Sequence, residues 1–240
     1  MRSLKLSLLF LALSFGAITH AQTADEVINK HIDAIGGKEK IKGINSIATE
    51  GVISVMGNEA PVTITILNGK GFKSEVDFNG QKIVQALTDK EGWSINPMAG
   101  SSDAQKIPDE QYQASKDQLF VGGPLFDYAS KGYKVNLAGR DTVGNVNAYK
   151  LTVSGGDNNT ATYYIDPNTY YIVKMVRNIN MNGQEGEIAT TFSDYKKTDY
   201  GYVIPYSTEI TMPQGFTLSS TVKKVDINKE VDPKIFEMPK

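Results

Sequence analysis

The sequence predicts a mainly β chain: about eleven antiparallel strands, one N-terminal helix, and a helical insertion over the concave face of a curved sheet. Three observations carry that prediction. First, apolar and polar residues alternate with a period of two through most of Ser46–Pro97. Phe72, Val76 and Phe78 share one face of their segment, and Lys73, Glu75 and Asp77 share the other. Val62, Ile64 and Ile66 face one way, Thr63 and Thr65 the other. That period marks half-buried strands. Second, turn residues break the pattern at short intervals: Gly57-Asn58, Asn68-Gly69 and Asn79-Gly80. Asn-Gly between alternating runs is a strong short-range hairpin signal. Third, helical spacing is confined to two places, 23–35 and 108–130.

Taken in order, residues 1–21 read as a secretory signal peptide. Arg2 and Lys5 supply the positive start, 8–17 is a short apolar run, and Thr19-His20-Ala21 is a small-residue cleavage site. The run is short for a membrane span, and no Cys follows it to carry a lipid. From Gln22 onward the chain carries 23 basic and 27 acidic residues, a net charge of −4. That balance argues against a general nucleic-acid binder. With 240 residues and no Cys, the chain relies on its core rather than on disulfides.

Residues 23–35 form an amphipathic helix. Thr23 and Glu26 fit a capping box, Val27, Ile28, Ile32 and Ile35 make one stripe, and Gly36-Gly37 ends it. The meander follows and ends near Trp93. Residues 98–106 read as a polar loop. Pro108 then opens a helix with Asp109 and Glu110 in its first turn and Tyr112, Ser115 and Leu119 on one face. After Gly122-Gly123-Pro124 a second short helix is expected over 125–130. Strands resume at Tyr133 and run to Asn228. Asp166-Pro167-Asn168-Thr169 forms a turn in which Pro presets one position and Asn tolerates the next. Asp232-Pro233 starts a last turn that docks Ile235 and Phe236.

Catalytic parts are sparse. Beyond the leader, His31 is the single histidine, so neither a His-based metal set nor a Ser–His–acid triad is easily built. It reads as a surface histidine of the helix. Asp89 with Glu91, and Asp109 with Glu110, read as solvated charges rather than as carboxylates facing across a cleft. Gly122-Gly123 and Gly155-Gly156 lack the Lys of a phosphate loop. Asn158-Asn159-Thr160 matches a glycosylation sequon, a pattern common by chance. Apolar surface is what remains. If the sheet curls and its concave face stays partly empty beneath the 108–130 helices, it forms a pocket for an apolar ligand. If the face is filled, the chain is a structural or interaction module of the envelope. A hydrolase with an unseen site is the third alternative.

Several short runs, in this order and spacing, resemble one family. They are 27–37 (VINKHIDAIGG), Glu50-Gly51, 91–97 (EGWSINP), 128–135 (YASKGYKV), 163–169 (YYIDPNT), 192–195 (FSDY) and Val203-Ile204-Pro205. The chain resembles the outer-membrane lipoprotein-sorting proteins of the LolA/LolB-like superfamily. The resemblance implies an incomplete, strongly bent antiparallel β-barrel with helices in its mouth. It also implies a periplasmic, non-enzymatic carrier or chaperone for the acyl chains of lipoproteins or other lipids. Such a carrier acts without a cofactor, metal or nucleic acid. It is expected to be a monomer and to exchange cargo with membrane-bound donor or acceptor proteins. On this reading 22–240 is a single domain. Its cavity and lid are expected to comprise Ile53, Ile64, Phe72, Val76, Phe78, Trp93, Leu119, Phe120, Leu125, Phe126, Tyr163, Phe192 and Tyr206. No position here is matched to the family's functional basic residue or its membrane-inserting loop.

Overall fold

The computed structural model describes residues 22–155, 160–181 and 184–239. The leader, Asn158 and Asn159 lie outside them. Helix α1 (Ala24–Ala34) and the short α2 (Lys38–Lys42) precede a meander of β1 (Ser46–Val55), β2 (Asn58–Leu67), β3 (Gly71–Phe78), β4 (Gln81–Thr88), β5 (Gly92–Asn96) and β6 (Ser101–Lys106). Helix α3 (Asp109–Ser115) and single turns at Lys116–Leu119 and Tyr128–Lys131 interrupt the strands. They resume with β7 (Lys134–Val143), β8 (Val146–Ser154), β9 (Thr160–Ile165), β10 (Ile172–Met181), β11 (Gln184–Lys197), β12 (Val203–Thr211) and β13 (Thr217–Ile227).

All thirteen strands join one antiparallel sheet in the order β6-β5-β4-β3-β2-β1-β13-β12-β11-β10-β9-β8-β7. Strands β6 and β7 are its two edges, so the sheet is not closed. It is curved. Ile47 of β1 and Leu151 of β8 belong to one buried cluster built around α1. Those strands are six places apart, about 29 Å across a flat sheet at ~4.8 Å per strand. A single helix about 10 Å wide spans that interval only if the sheet wraps around it.

The expected pattern holds where one face is apolar. Ile47, Ile66 and Phe72 are cross-strand partners, as are Val62 and Val76. The capping box forms: the Glu26 amide donates to Thr23 Oγ1 and the Thr23 amide to the Glu26 carboxylate, both at 3.2 Å. The 166–171 turn forms as read, its Asn168 amide donating to Asp166 Oδ1 at 2.8 Å.

Four expectations are corrected. Among the described residues the strand count is thirteen, and residues 101–106, read as loop, pair with β5 as an edge strand. The β1–β2 turn is made by Met56 and Gly57, both at positive φ, rather than by Gly57-Asn58. The helix expected over 125–130 does not form: 125–127 belong to a run of turns with Gly122, Gly123 and Asp127 at positive φ, and a single 3-10 turn follows at Tyr128–Lys131. His31 is buried rather than exposed (3% accessible), and its Nδ1 lies 2.8 Å from the Tyr170 carbonyl oxygen, an arrangement that suits an Nδ1–H donor. Burial pulls its pKa down from 6.5 to about 4, against the pull of that carbonyl.

Candidate functional site

The concave face divides into two halves. Turns alternate between the two ends of an up-and-down sheet. The β2–β3, β9–β10 and β11–β12 turns lie at one end, where the helices sit. His31 of α1 meets Tyr170 there, and the Gly69 amide donates to the Leu119 carbonyl at 2.8 Å. At this end the face is filled. Phe72, Leu87, Ile107, Tyr112 and Leu119 make one buried cluster. Leu125, Phe126, Tyr163, Leu151 and α1 make another.

Towards the opposite end the same face continues without a helix above it. Ile53, Val55, Ile64, Val76, Phe78, Ile83, Phe192, Ile210 and Leu218 are each only half-buried there. Register places them together: Ile53 opposite Ser220, Val55 opposite Leu218, Ile210 opposite Leu218, and Phe192 opposite Thr208. Ser74, Gln85 and Ser94 share this face on β3–β5, so the apolar floor is concentrated on β13-β1-β2-β3. This open trough is the candidate site.

The cover over the filled half spans 109–131 and is held by a few polar contacts. Asn68 Oδ1 accepts the Val121 amide at 3.0 Å, while its Nδ2 donates to the Ile44 carbonyl at 3.0 Å. Tyr112 donates to the Thr88 carbonyl at 3.0 Å. Arg177 of β10 lies on the concave face and reaches up. Its Nη1 donates to the Ala114 carbonyl at 3.1 Å, and its Nη2 stands 3.5 Å from Asp117 Oδ2. The Tyr133 hydroxyl donates to the other Asp117 oxygen. Burial first, and that carboxylate second, push the Tyr133 phenol well above its usual pKa, so it stays a donor. Arg177 Nε is buried with no hydrogen-bond partner among the described residues, beside a cavity of about 10 Å³. That is room for one water at most. Lys131 donates to the Gly123 carbonyl at 2.9 Å with its ammonium 5.1 Å from the Phe120 ring centre and 5.8 Å from that of Phe126. Burial lowers its pKa.

The expected site residues therefore separate. Ile53, Ile64, Val76, Phe78 and Phe192 fall in the open trough. Phe72, Leu119, Leu125, Phe126 and Tyr163 are packed in the covered half. Phe120 stays 38% exposed at the cover's edge. Tyr206 is half-buried with the Lys196 ammonium 4.8 Å from its ring centre. Trp93 is a correction. It pairs with Ala86 one place out of phase with Phe72 and Leu87, and it packs with Val84 and Ala86 on the convex face. There its indole donates to the Phe236 carbonyl at 2.8 Å. Arg177, Asp117, Tyr133 and Asn68 were missed as site residues. The signal for Arg177 was available: it holds the phase of Met175 and Ile179, an arginine where the alternation asks for an apolar side chain.

Among the described residues no group of three or more His, Cys, Asp or Glu is placed to hold a metal, and no helix is long and apolar enough to cross a membrane.

No protein-family profile matches the chain, and no curated protein matches it in sequence. Solved structures do match its fold. A LolA superfamily protein from Nitrosomonas europaea superposes with a TM-score of 0.59 at 11% identity, over 90% of this chain and 98% of that one. A putative outer membrane lipoprotein-sorting protein domain from Vibrio parahaemolyticus gives 0.60 at 12% identity, over 87% and 95%. A DUF1329 family protein from Desulfovibrio piger gives 0.54 at 10%, over 90% and 98%. The chain shares its fold with these three proteins.

Proposed function

We propose that this protein is a non-enzymatic carrier or chaperone that holds acyl chains of lipoproteins or other lipids in the open trough. We place it in the periplasm, where a leader such as 1–21 would send it. The observation that carries the reading is the contrast along a single face. Under the cover, Leu87, Leu119 and Leu151 are at most 1% exposed. Beyond it, Ile53, Ile64, Val76, Phe78 and Phe192 of the same phase remain half-buried, with Ala60 and Val62 closed in between them. A trough of that kind leaves apolar area for a ligand to cover, at roughly 25 cal/mol per Å² buried. The fold shared with a LolA superfamily protein and a putative lipoprotein-sorting domain supports the same reading.

The test is native mass spectrometry of mature protein purified gently from its envelope fraction, with binding of a fluorescent apolar probe measured alongside. A stoichiometric acyl-chain adduct is expected. Ile53→Gln and Phe192→Gln are the variants of choice, because both side chains are half-buried and lie outside the packed clusters under the cover. Leu119 and Phe126 do not, since each is packed in the core. Both Gln variants should lower probe affinity several-fold while the unfolding midpoint stays close to wild type. Unchanged affinity in both, with no adduct on the wild type, would return the molecule to the envelope interaction-module reading.

A further inference from the structure

Asn68 stands in the turn between β2 and β3 and is followed by Gly69. The Lys70 amide closes that turn on the Leu67 carbonyl at 2.8 Å, with Gly69 at a φ of 73°. Asparagine is a chemically labile residue, and Gly69 has no Cβ to hinder an approach to it. In the reaction that threatens it, the Gly69 nitrogen attacks Cγ of Asn68. The N–Cγ bond forms, the Cγ–Nδ2 bond breaks, and ammonia leaves with the proton that Gly69 gives up. The resulting succinimide takes up one water and opens at either carbonyl, to aspartate or isoaspartate. In sum, asparagine and water give aspartate and ammonia.

Each group in that reaction is held in this structure. The Gly69 N–H donates to the Leu119 carbonyl at 2.8 Å, which keeps the proton on the attacking nitrogen. Asn68 Oδ1 accepts the Val121 amide and Nδ2 donates to the Ile44 carbonyl, both at 3.0 Å, so the side chain is not free to swing towards Gly69. Leu119 and Val121 both belong to the cover. When the cover lifts, two of the three restraints leave together. Asn79-Gly80 provides the contrast. There the Gly80 amide donates to Asp77 Oδ1 at 2.6 Å, within its own hairpin and without the cover. Asn182-Gly183 lies outside the described residues. We propose that Asn68 is a deamidation site gated by the cover, protected while the cover is closed and exposed at each opening. Conversion also acts back on the cover. The new side chain is ionised at neutral pH and has no N–H, so it sets a charged oxygen against the Ile44 carbonyl that Nδ2 now serves. The turn that anchors Leu119 and Val121 is thereby loosened, in a one-way step that favours the open cover. This holds whether or not the trough takes a ligand.

The experiment ages the full mature protein at neutral pH. Peptide mass spectrometry reads conversion at position 68, and NMR reads exchange of the Gly69 amide. The urea-unfolded chain should convert Asn68 at least tenfold faster than the folded protein. Arg177→Met removes the cover's contacts at Ala114 and Asp117. It should raise Gly69 exchange and Asn68 conversion by the same factor, about tenfold, and leave Asn79 conversion unchanged. A series of urea concentrations below the unfolding transition should move exchange and conversion at this turn together in wild type as well. Amides of 109–120 should exchange several-fold faster in Asn68→Asp. Equal conversion in folded and unfolded chains overturns the protection. Conversion that stays flat while Gly69 exchange rises, in the variant or along the urea series, overturns the gate. Wild-type exchange of 109–120 in Asn68→Asp overturns the action back on the cover.

Discussion

Replacing Arg177 with Met should loosen the 109–131 cover while the sheet stays folded. The Met stem preserves much of the apolar packing beneath the guanidinium. It removes the hydrogen bond to the Ala114 carbonyl and the ion pair to Asp117. A hydrogen bond from a charged donor contributes about 1.5–3 kcal/mol. The ion pair adds roughly 0.5 kcal/mol once screening is allowed for, since its side chains are 23% and 13% exposed. Against these stands the unpartnered Nε, whose burial costs about 1 kcal/mol in wild type and is relieved in the variant. The net is about 1–2.5 kcal/mol, which is at least several-fold and centrally on the order of a tenfold rise in the open population. Hydrogen–deuterium exchange read by peptide mass spectrometry is the assay. Amides in 109–120 should exchange about tenfold faster, with those of β8 and β9 unchanged. Identical exchange in 109–120 would refute the latch. A uniform rise across the chain would refute it too, because Arg177 would then support the fold as a whole.

Two further predictions concern stability. Since burial lowers the His31 pKa from 6.5 to about 4, the unfolded chain takes up a proton in that window and the folded chain does not. Stability is therefore fully present well above pH 6.5 and falls as pH drops towards 4, by roughly 2–3 kcal/mol at pH 4.5. His31→Phe should flatten that slope in urea titrations at pH 7 and 4.5, and an equal slope in both proteins would remove His31 as its source. A Cβ at Gly71 would run into the Phe236 ring. Gly71→Ala should thus displace the C-terminal segment, shift Trp93 emission through loss of the Phe236 carbonyl contact, and cost about 1–3 kcal/mol in chemical unfolding.

What was legible in the sequence depended on which force shaped each segment. Where burial of one face decides the conformation, as in 62–66 and 72–78, period and register could be read directly. Local hydrogen bonding was equally readable at Thr23 and at Asp166. Strand 101–106 was not, because SSDAQK has no apolar phase and is held by backbone pairing at an edge. Trp93 was assigned to the wrong face for a longer-range reason. Its strand carries apolar side chains on the outward phase, and their cover, Phe236, arrives 143 residues later. His31 lies on the stripe of Val27, Ile28 and Ile32, so position argued for burial while residue type argued against it. Its partner is a carbonyl on a distant turn.

Cover and trough are parts of one surface rather than two devices. Ile64 and Ile66 pack against the covered cluster of Phe72, Leu87, Tyr112 and Leu119 while belonging to the same strand face as the open trough. The floor is thus continuous, and the cover ends the trough by setting Leu119 and Tyr112 upon it. A ligand longer than the open half must displace those side chains to lie further along the floor. Ligand and cover then compete for the same apolar area, and the apparent affinity for a long chain is reduced by the fraction of molecules with the cover open. Short apolar ligands should be indifferent to Arg177, since they need only the open half. Long ones should bind Arg177→Met up to about tenfold more tightly, in step with the gain in open population. If the protein carries acyl chains as proposed, the contacts at Ala114, Asp117 and Asn68 would set a length preference without touching the ligand. The polar residues of this site would then act where an apolar floor alone could not, in the choice between ligands of one chemistry and different reach.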